Sequence, residues 1–143
     1  MPEPSTEIRF DTKVAVVLRD DLLPWQELNV TAFLMSAIAT SAADLVGHPY
    51  EDADGRTYLP MLRQPVLVFS ADTVTLSGAH RKGLERDLAM AIYTRDLFTT
   101  GHDAANRAAV RAVATADLDL VGVALRGPRN VVDRTIKGAR MHE

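Results

Sequence analysis

Four short apolar runs, with helical signals between them, confine this sequence to one class of fold. Lys13 to Leu18 reads Lys-Val-Ala-Val-Val-Leu, a β-branched run with no polar residue on either parity after the lysine. A strand covered on one face alternates apolar and polar residues; one covered on both faces does not. Pro65 to Phe69, Met90 to Thr94 and Leu118 to Leu125 are the other runs. Between them the period lengthens. From Gln26 to Leu45, Asn29, Ser36, Thr40 and Asp44 fall near one side of a helical wheel, with Phe33, Leu34, Ile38 and Leu45 on others. Asp72 or Thr73 caps a second helix to about Asp87, with Leu76, Ala79, Leu84 and Leu88 inward. Asp103 caps an alanine-rich helix to about Val113 that buries Ala105, Ala109 and Ala112. Pro128 opens a short helix through Ile136, and Gly138 ends it. Strand and helix alternating in this way predict a layered α/β domain with helices on both faces of the sheet.

No internal repeat or linker divides residues 1–143, so one domain is expected, with residues 1–10 frayed. Residues 48–60 form an excursion. Tyr50-Glu51-Asp52-Ala53-Asp54-Gly55-Arg56-Thr57-Tyr58 holds an Asp-Gly pair between two tyrosines, which predicts a hairpin with positive φ angles at a tight turn, placed as a lid beside the main sheet.

The net charge is -3, from 16 basic and 19 acidic residues. Nucleic-acid affinity draws mainly on phosphate contacts, so this balance disfavours tRNA as a partner, although Arg126, Arg129, Arg134, Lys137 and Arg140 crowd the C-terminal end. With no cysteine, disulfides, thiol nucleophiles and thiolate metal sites are excluded, and a cytoplasmic setting fits. No signal core and no bilayer-length apolar run is seen, so no membrane partner is expected.

The standard catalytic and phosphate-binding motifs are missing: there is no Gly-x-Gly-x-x-Gly, no Walker loop and no Gly-x-Ser-x-Gly elbow. No cofactor is expected. His48, His80, His102 and His142 are not paired at metal-ligand spacing, so no metal is expected either. Tyr50-x-Asp52-x-Asp54-Gly55 resembles part of a calcium loop but has Tyr50 at the first ligand position and Met61 at the twelfth. Ser70 ends a strand without an identifiable base and reads as a turn hydroxyl. Two segments that follow strands are richer. Trp25, beside Asp20, Asp21, Gln26 and Asn29, is either a core cap or the wall of an aromatic pocket. Thr94 to His102 packs hydroxyls, Asp96, Phe98 and an imidazole into nine residues.

These stretches carry a resemblance. Trp25 to Phe33, Tyr50 to Gly55, Gln64-Pro65, Leu97 to Gly101, Val132-Asp133-Arg134 and Lys137-Gly138 are similar to the bacterial family catalogued as domain of unknown function 2000, from about residue 13 to the end. More distantly, the layout resembles type II peptidyl-tRNA hydrolase. Arg19-Asp20-Asp21-Leu22 follows the first strand as Arg-x-Asp-Leu does there, and Thr31-Ala32-Phe33 sits where that family's helix opens. Asp96 and Thr100 keep the spacing of its Asp-Ala-Gly-x-Thr, with Phe98 in place of glycine, and Val132-Asp133-Arg134 looks like its closing Val-Asp-Lys. The resemblance implies a three-layer α/β/α sandwich around a mixed sheet of about four strands. It also implies Asp96 and Thr100 as a catalytic pair, Asp96 orienting Thr100 or a water.

The hydrolase's lysine falls at Asn29, which donates a hydrogen bond but brings no charge. Phe98 and Trp25 would narrow and dry the cleft. The expectation is a cleft at the carboxyl ends of the strands that binds or hydrolyses a small molecule, lined by Asp20, Trp25, Gln26, Asn29, Phe98 and His102. The alternatives are a peptidyl-tRNA hydrolase-like esterase, and a non-enzymatic homodimeric interaction module using the hairpin from Tyr50 to Tyr58.

Overall fold

The computed structural model describes residues 9–143. Most of the segment expected to be frayed lies outside the described residues, and of its last two, Phe10 offers its carbonyl to Arg129 Nη1 at 3.4 Å. Five strands form a mixed sheet in the order β5-β6-β1-β4-β7. They are β1 (Thr12–Arg19), β4 (Val66–Ala71), β5 (Ala89–Thr94), β6 (Leu120–Pro128) and β7 (Arg140–Met141), with β2 (Tyr50–Glu51) and β3 (Thr57–Tyr58) forming a separate hairpin. The helices are α1 (Pro24–Ala39), α2 (Thr73–Glu85), α3 (Asp103–Arg111) and α4 (Arg129–Thr135). Among the described residues no helix is long and apolar enough to cross a membrane.

Strand β1 lies at the centre, parallel to β4 and antiparallel to β6. Its alternate side chains feed two cores. Val14, Val16 and Leu18 pack with Val30, Leu34 and Ile38 of α1 on one face; Ala15 and Val17 pack with Leu76 and Ala79 of α2 and Val132 of α4 on the other. Sequence alone did not show β7: two residues after a glycine turn are too few to leave a period. Gly138 turns the chain at φ 100°, Met141 pairs with Phe69, and His142 N–H donates to the Val68 carbonyl at 3.0 Å.

Several boundaries differ from expectation for local reasons. Helix α1 starts earlier, at Pro24, because proline suits the first turn and Gln26 Oε1 accepts the Leu23 N–H at 2.9 Å. It stops at Ala39 rather than Leu45. The Thr40 hydroxyl bonds the Ala37 carbonyl at 3.0 Å and that of Ser41 bonds the Ile38 carbonyl at 2.6 Å, so side chains take up the carbonyls of the final turn. Asp72 caps α2 through the Thr75 N–H at 2.8 Å, and that helix ends at Glu85, with Asp87 at φ 55°. Its inner face carries His80 and Gly83, not Leu84, which is exposed. Helix α3 is capped by His102 Nδ1, which accepts the Ala105 N–H at 3.2 Å, rather than by Asp103. None of its residues is buried, so Ala105, Ala109 and Ala112 do not form a core face; methyl groups alone offer too little area to seat a helix.

The hairpin forms as expected, but Asp54 keeps a negative φ and only Gly55 takes the left-handed region, at φ 82°. The Gly55 N–H donates to the Asp52 carbonyl at 3.1 Å. The Asp52 carboxylate, which a calcium loop would need free, accepts the N–H groups of Asp54 and Arg56, each at 3.0 Å, and the Tyr58 hydroxyl at 2.7 Å. That hydroxyl is the main reason the Asp52 carboxyl titrates below its ordinary range.

Close seating of α1 depends on Gly122 in β6. A Cβ there would lie 2.6 Å from Val30 Cγ1 and 3.2 Å from Leu34 Cδ1. Val30 is fully buried and, being β-branched, has little rotamer freedom to yield. Gly122→Ala is expected to cost about 1–3 kcal/mol in urea unfolding; a loss within error would mean that α1 stands further off the sheet than described.

Candidate functional site

Among the described residues the sheet ends at β5, and the chain beyond it turns back over the α1 face. Tyr93, the second-last residue of β5, is buried, and its hydroxyl accepts from Asn29 Nδ2 of α1 at 3.3 Å. After Thr94 a five-residue 3-10 turn, Arg95–Thr99, leads into α3. It brings Phe98 over Tyr93, ring centroids 5.2 Å apart, while Phe33 of α1 stands 6.0 Å from Tyr93 on centroids. Trp25 meets Phe98 edge to face at 5.7 Å. Four aromatic rings thus run in series across the opening between α1 and α3.

The opening is a cleft of about 400 Å³ lined by Asn29, Phe33, Tyr93, Phe98, Thr100, His102 and Asn106. It shares Phe33, Tyr93, Leu97, Asp103 and Asn106 with an apolar groove of about 460 Å³ floored by Leu34, Ala91 and Ile92 and edged by Val110, Arg107 and Arg111. Burial raises the pKa of the Tyr93 phenol, against a smaller lowering by its bond to Asn29, so the hydroxyl stays protonated at neutral pH. Asn29 is the donor in that bond, and the phenol proton has no acceptor among the described residues.

Four of the sequence candidates therefore meet: Asn29, Phe98, Thr100 and His102. The other four do not line the cleft. Trp25 backs Phe98 from outside and is 56% exposed. Gln26 caps α1. Asp96 is exposed, and its carboxylate makes no hydrogen bond among the described residues; its backbone carbonyl accepts from the Thr99 hydroxyl at 2.9 Å. Asp20 lies elsewhere, paired with Arg140 at 3.3 Å. The Thr100 hydroxyl donates to the Leu97 carbonyl at 3.0 Å and touches Asn106 Oδ1, which ties the 3-10 turn to α3. Asp96 and Thr100 are not hydrogen-bonded to one another.

Sequence reasoning missed Tyr93, Phe33, Asn106 and the α3 arginines. The signal for α3 was present: Asp103, Asn106, Arg107, Val110 and Arg111 follow helical spacing on one face. Tyr93 had none, since a tyrosine in a strand is ordinary until its neighbours are known.

Two ionic clusters frame the strand ends. Arg19, only 8% exposed, donates from Nε to Asp21 at 2.8 Å and from Nη1 to Asp119 at 2.9 Å, and Arg95 approaches both carboxylates, at 3.7 and 3.5 Å. This knot fixes the entry to β6 and explains why arginine and aspartate recur around β1. On the other flank, Asp20, Glu27, Ser70, Arg140 and His142 surround a hollow of about 270 Å³. His142 is not a base for Ser70: its Nε2 meets the Glu27 carboxylate and its Nδ1 lies 2.8 Å from the Glu143 carbonyl.

A family model described as protein of unknown function (DUF2000) matches residues 12–143. The chain belongs to this family. A solved structure of a protein of unknown function from Agrobacterium tumefaciens is similar, with 46% identity and a TM-score of 0.91 over 94% of this chain and 100% of that one. No curated protein matches the chain significantly. The resemblance to peptidyl-tRNA hydrolase is not among these matches, and the fold they share is a mixed α/β fold.

The Glu27 carboxylate first, and the Glu143 carbonyl second, hold the His142 pKa above its ordinary value of 6.5. The protonated form is thus favoured in the folded state, so this contact adds stability fully present below the unfolded value and lost as pH rises through the raised one. The stability gap between wild type and His142→Gln is expected to shrink as pH rises across that window in paired thermal melts; a gap that widens would reverse the assignment.

Proposed function

We propose that this family member binds a small, partly apolar molecule in the cleft between α1 and α3. The observation that carries the reading is Tyr93. It is a buried phenol, held in position by Asn29 and flanked by Phe33 and Phe98, with its proton uncommitted at the floor of an opening that continues into an apolar groove. Concave apolar walls with a few fixed polar groups are what small-molecule recognition requires. Binding is better supported than hydrolysis. A hydrolytic nucleophile needs a base within hydrogen-bond reach, whereas the Thr100 hydroxyl is engaged by Leu97 and Asn106.

The peptidyl-tRNA hydrolase-like sandwich and esterase activity gain no support from charge. Arg129 and Arg134 belong to α4, on the opposite sheet face from α1, and Arg140 is paired with Asp20. An interaction surface at the hairpin is a second reading, favoured by the exposed Tyr50, Tyr58, Leu59 and Met61. Light scattering that shows a monomer at every concentration would remove its homodimeric form.

Trp25 is a built-in reporter because it touches Phe98 at the rim. A library screened by thermal shift is expected to yield a ligand that also changes Trp25 emission. Tyr93→Phe, and separately Phe33→Ala, should weaken that ligand at least tenfold, a change of about 1.4 kcal/mol. Phe33 is 53% exposed, so its truncation should leave unliganded melting nearly unchanged. A ligand indifferent to both substitutions would place binding elsewhere.

A further inference from the structure

On the far side of the sheet, a second hollow of about 470 Å³ lies between α2 and the segment leading into β6. Leu84, Leu118 and Leu120 give it apolar walls, and Ser77 and Thr115 give it hydroxyls. His80 projects into it from the inner face of α2 and is 7% exposed. Its ring makes no hydrogen bond among the described residues. Among the described residues the unpartnered side-chain atoms sealed from solvent belong to Thr94 and Arg126, so the His80 nitrogens open onto the hollow, where water or a bound hydroxyl can answer them. Its neighbours on the helix, Leu76, Ala79 and Gly83, are apolar or small, and nothing in helix geometry calls for an imidazole among them.

We propose that this hollow is a second ligand site, taking a small apolar molecule with a single hydroxyl, of the phenol or simple alcohol class, hydrogen-bonded to His80. A neutral imidazole offers one N–H donor and one lone-pair acceptor, and a hydroxyl answers either. Burial lowers the His80 pKa, which keeps the ring neutral at physiological pH. The charged groups lining the hollow are Arg81 and Glu85, exposed at its mouth and facing each other at 3.9 Å; the lining residues from 115 to 120 are uncharged. With Arg81 already facing a carboxylate and no second cation on the lining, an anionic ligand would be poorly compensated inside. The apolar walls favour a compact hydrocarbon body. This site shares no residue with the cleft of α1 and α3.

Phenol is the probe, with benzene as the hydroxyl-free control. Titration into the whole protein, followed by NMR, is expected to move the His80 ring resonances and the methyl signals of Leu118 and Leu120. Trp25 emission should stay constant, which separates this site from the cleft. Benzene should bind at least tenfold more weakly, and His80→Phe, which fills the space with a ring of similar breadth, should abolish the response to phenol. The proposal is overturned if phenol leaves the His80 ring unmoved in the wild type, if benzene binds equally well, or if the response appears at Trp25 instead. The wild-type NMR result decides even if the variant does not fold.

Discussion

Burial of β1 on both faces is the constraint from which the remaining architecture follows. Val14, Ala15, Val16 and Val17 have no exposed surface, and hydrogen bonding to β4 and β6 leaves neither edge of the strand open. A buried backbone must have its hydrogen bonds met, so a central strand requires neighbours on both sides and helices above and below. The helices divide accordingly, α1 to one face and α2 with α4 to the other. Arg19 completes the strand with a charged end. Burial works against its protonated form, but bonds to Asp21 and Asp119 outweigh that, and its pKa stands above the ordinary value. The strand terminus is therefore locked to the approach of β6.

The cleft arises where this completeness stops. Among the described residues β5 is the last strand on its side, and no further strand covers the space beyond it. The chain instead makes a 3-10 turn and a helix with no buried residue. A helix so weakly anchored leaves an opening between itself and α1. The aromatic rings there are held by one another and by Asn29, which suits the binding proposed for the cleft. Preorganisation of this kind lowers the ordering cost of binding.

Two histidines show how one residue type takes opposite roles by placement. His142 sits at a surface rim beside Glu27, and its charged form is favoured; His80 sits among leucines, and its neutral form is favoured. The first fastens the C-terminal strand to the start of α1. The second projects into an apolar hollow with no partner among the described residues. Their effects on stability run in opposite directions as pH falls, because folding favours protonation of one and resists protonation of the other.

The local sequence determined the kinds of element and most of their order. The β-branched run at Val14 to Leu18, the Asp72 cap, the Gly55 turn and the stop at Gly138 each act within a few residues, so their signals are complete in the chain itself. The density of polar and aromatic groups from Thr94 to His102 was likewise legible, and Phe98, Thr100 and His102 line one cleft with Asn29 of α1. Tertiary structure decided the rest. It separated Asp20 and Asp96 from the cleft, turned Gln26 into a cap, added β7 to the sheet, and placed Tyr93 beneath Phe33 and Phe98. Asn29 and Tyr93 are 64 positions apart, and Asp20 and Arg140 are 120 apart. Periodicity and capping are properties of neighbouring residues, whereas a site is made by side chains whose approach depends on the strand order of the whole sheet.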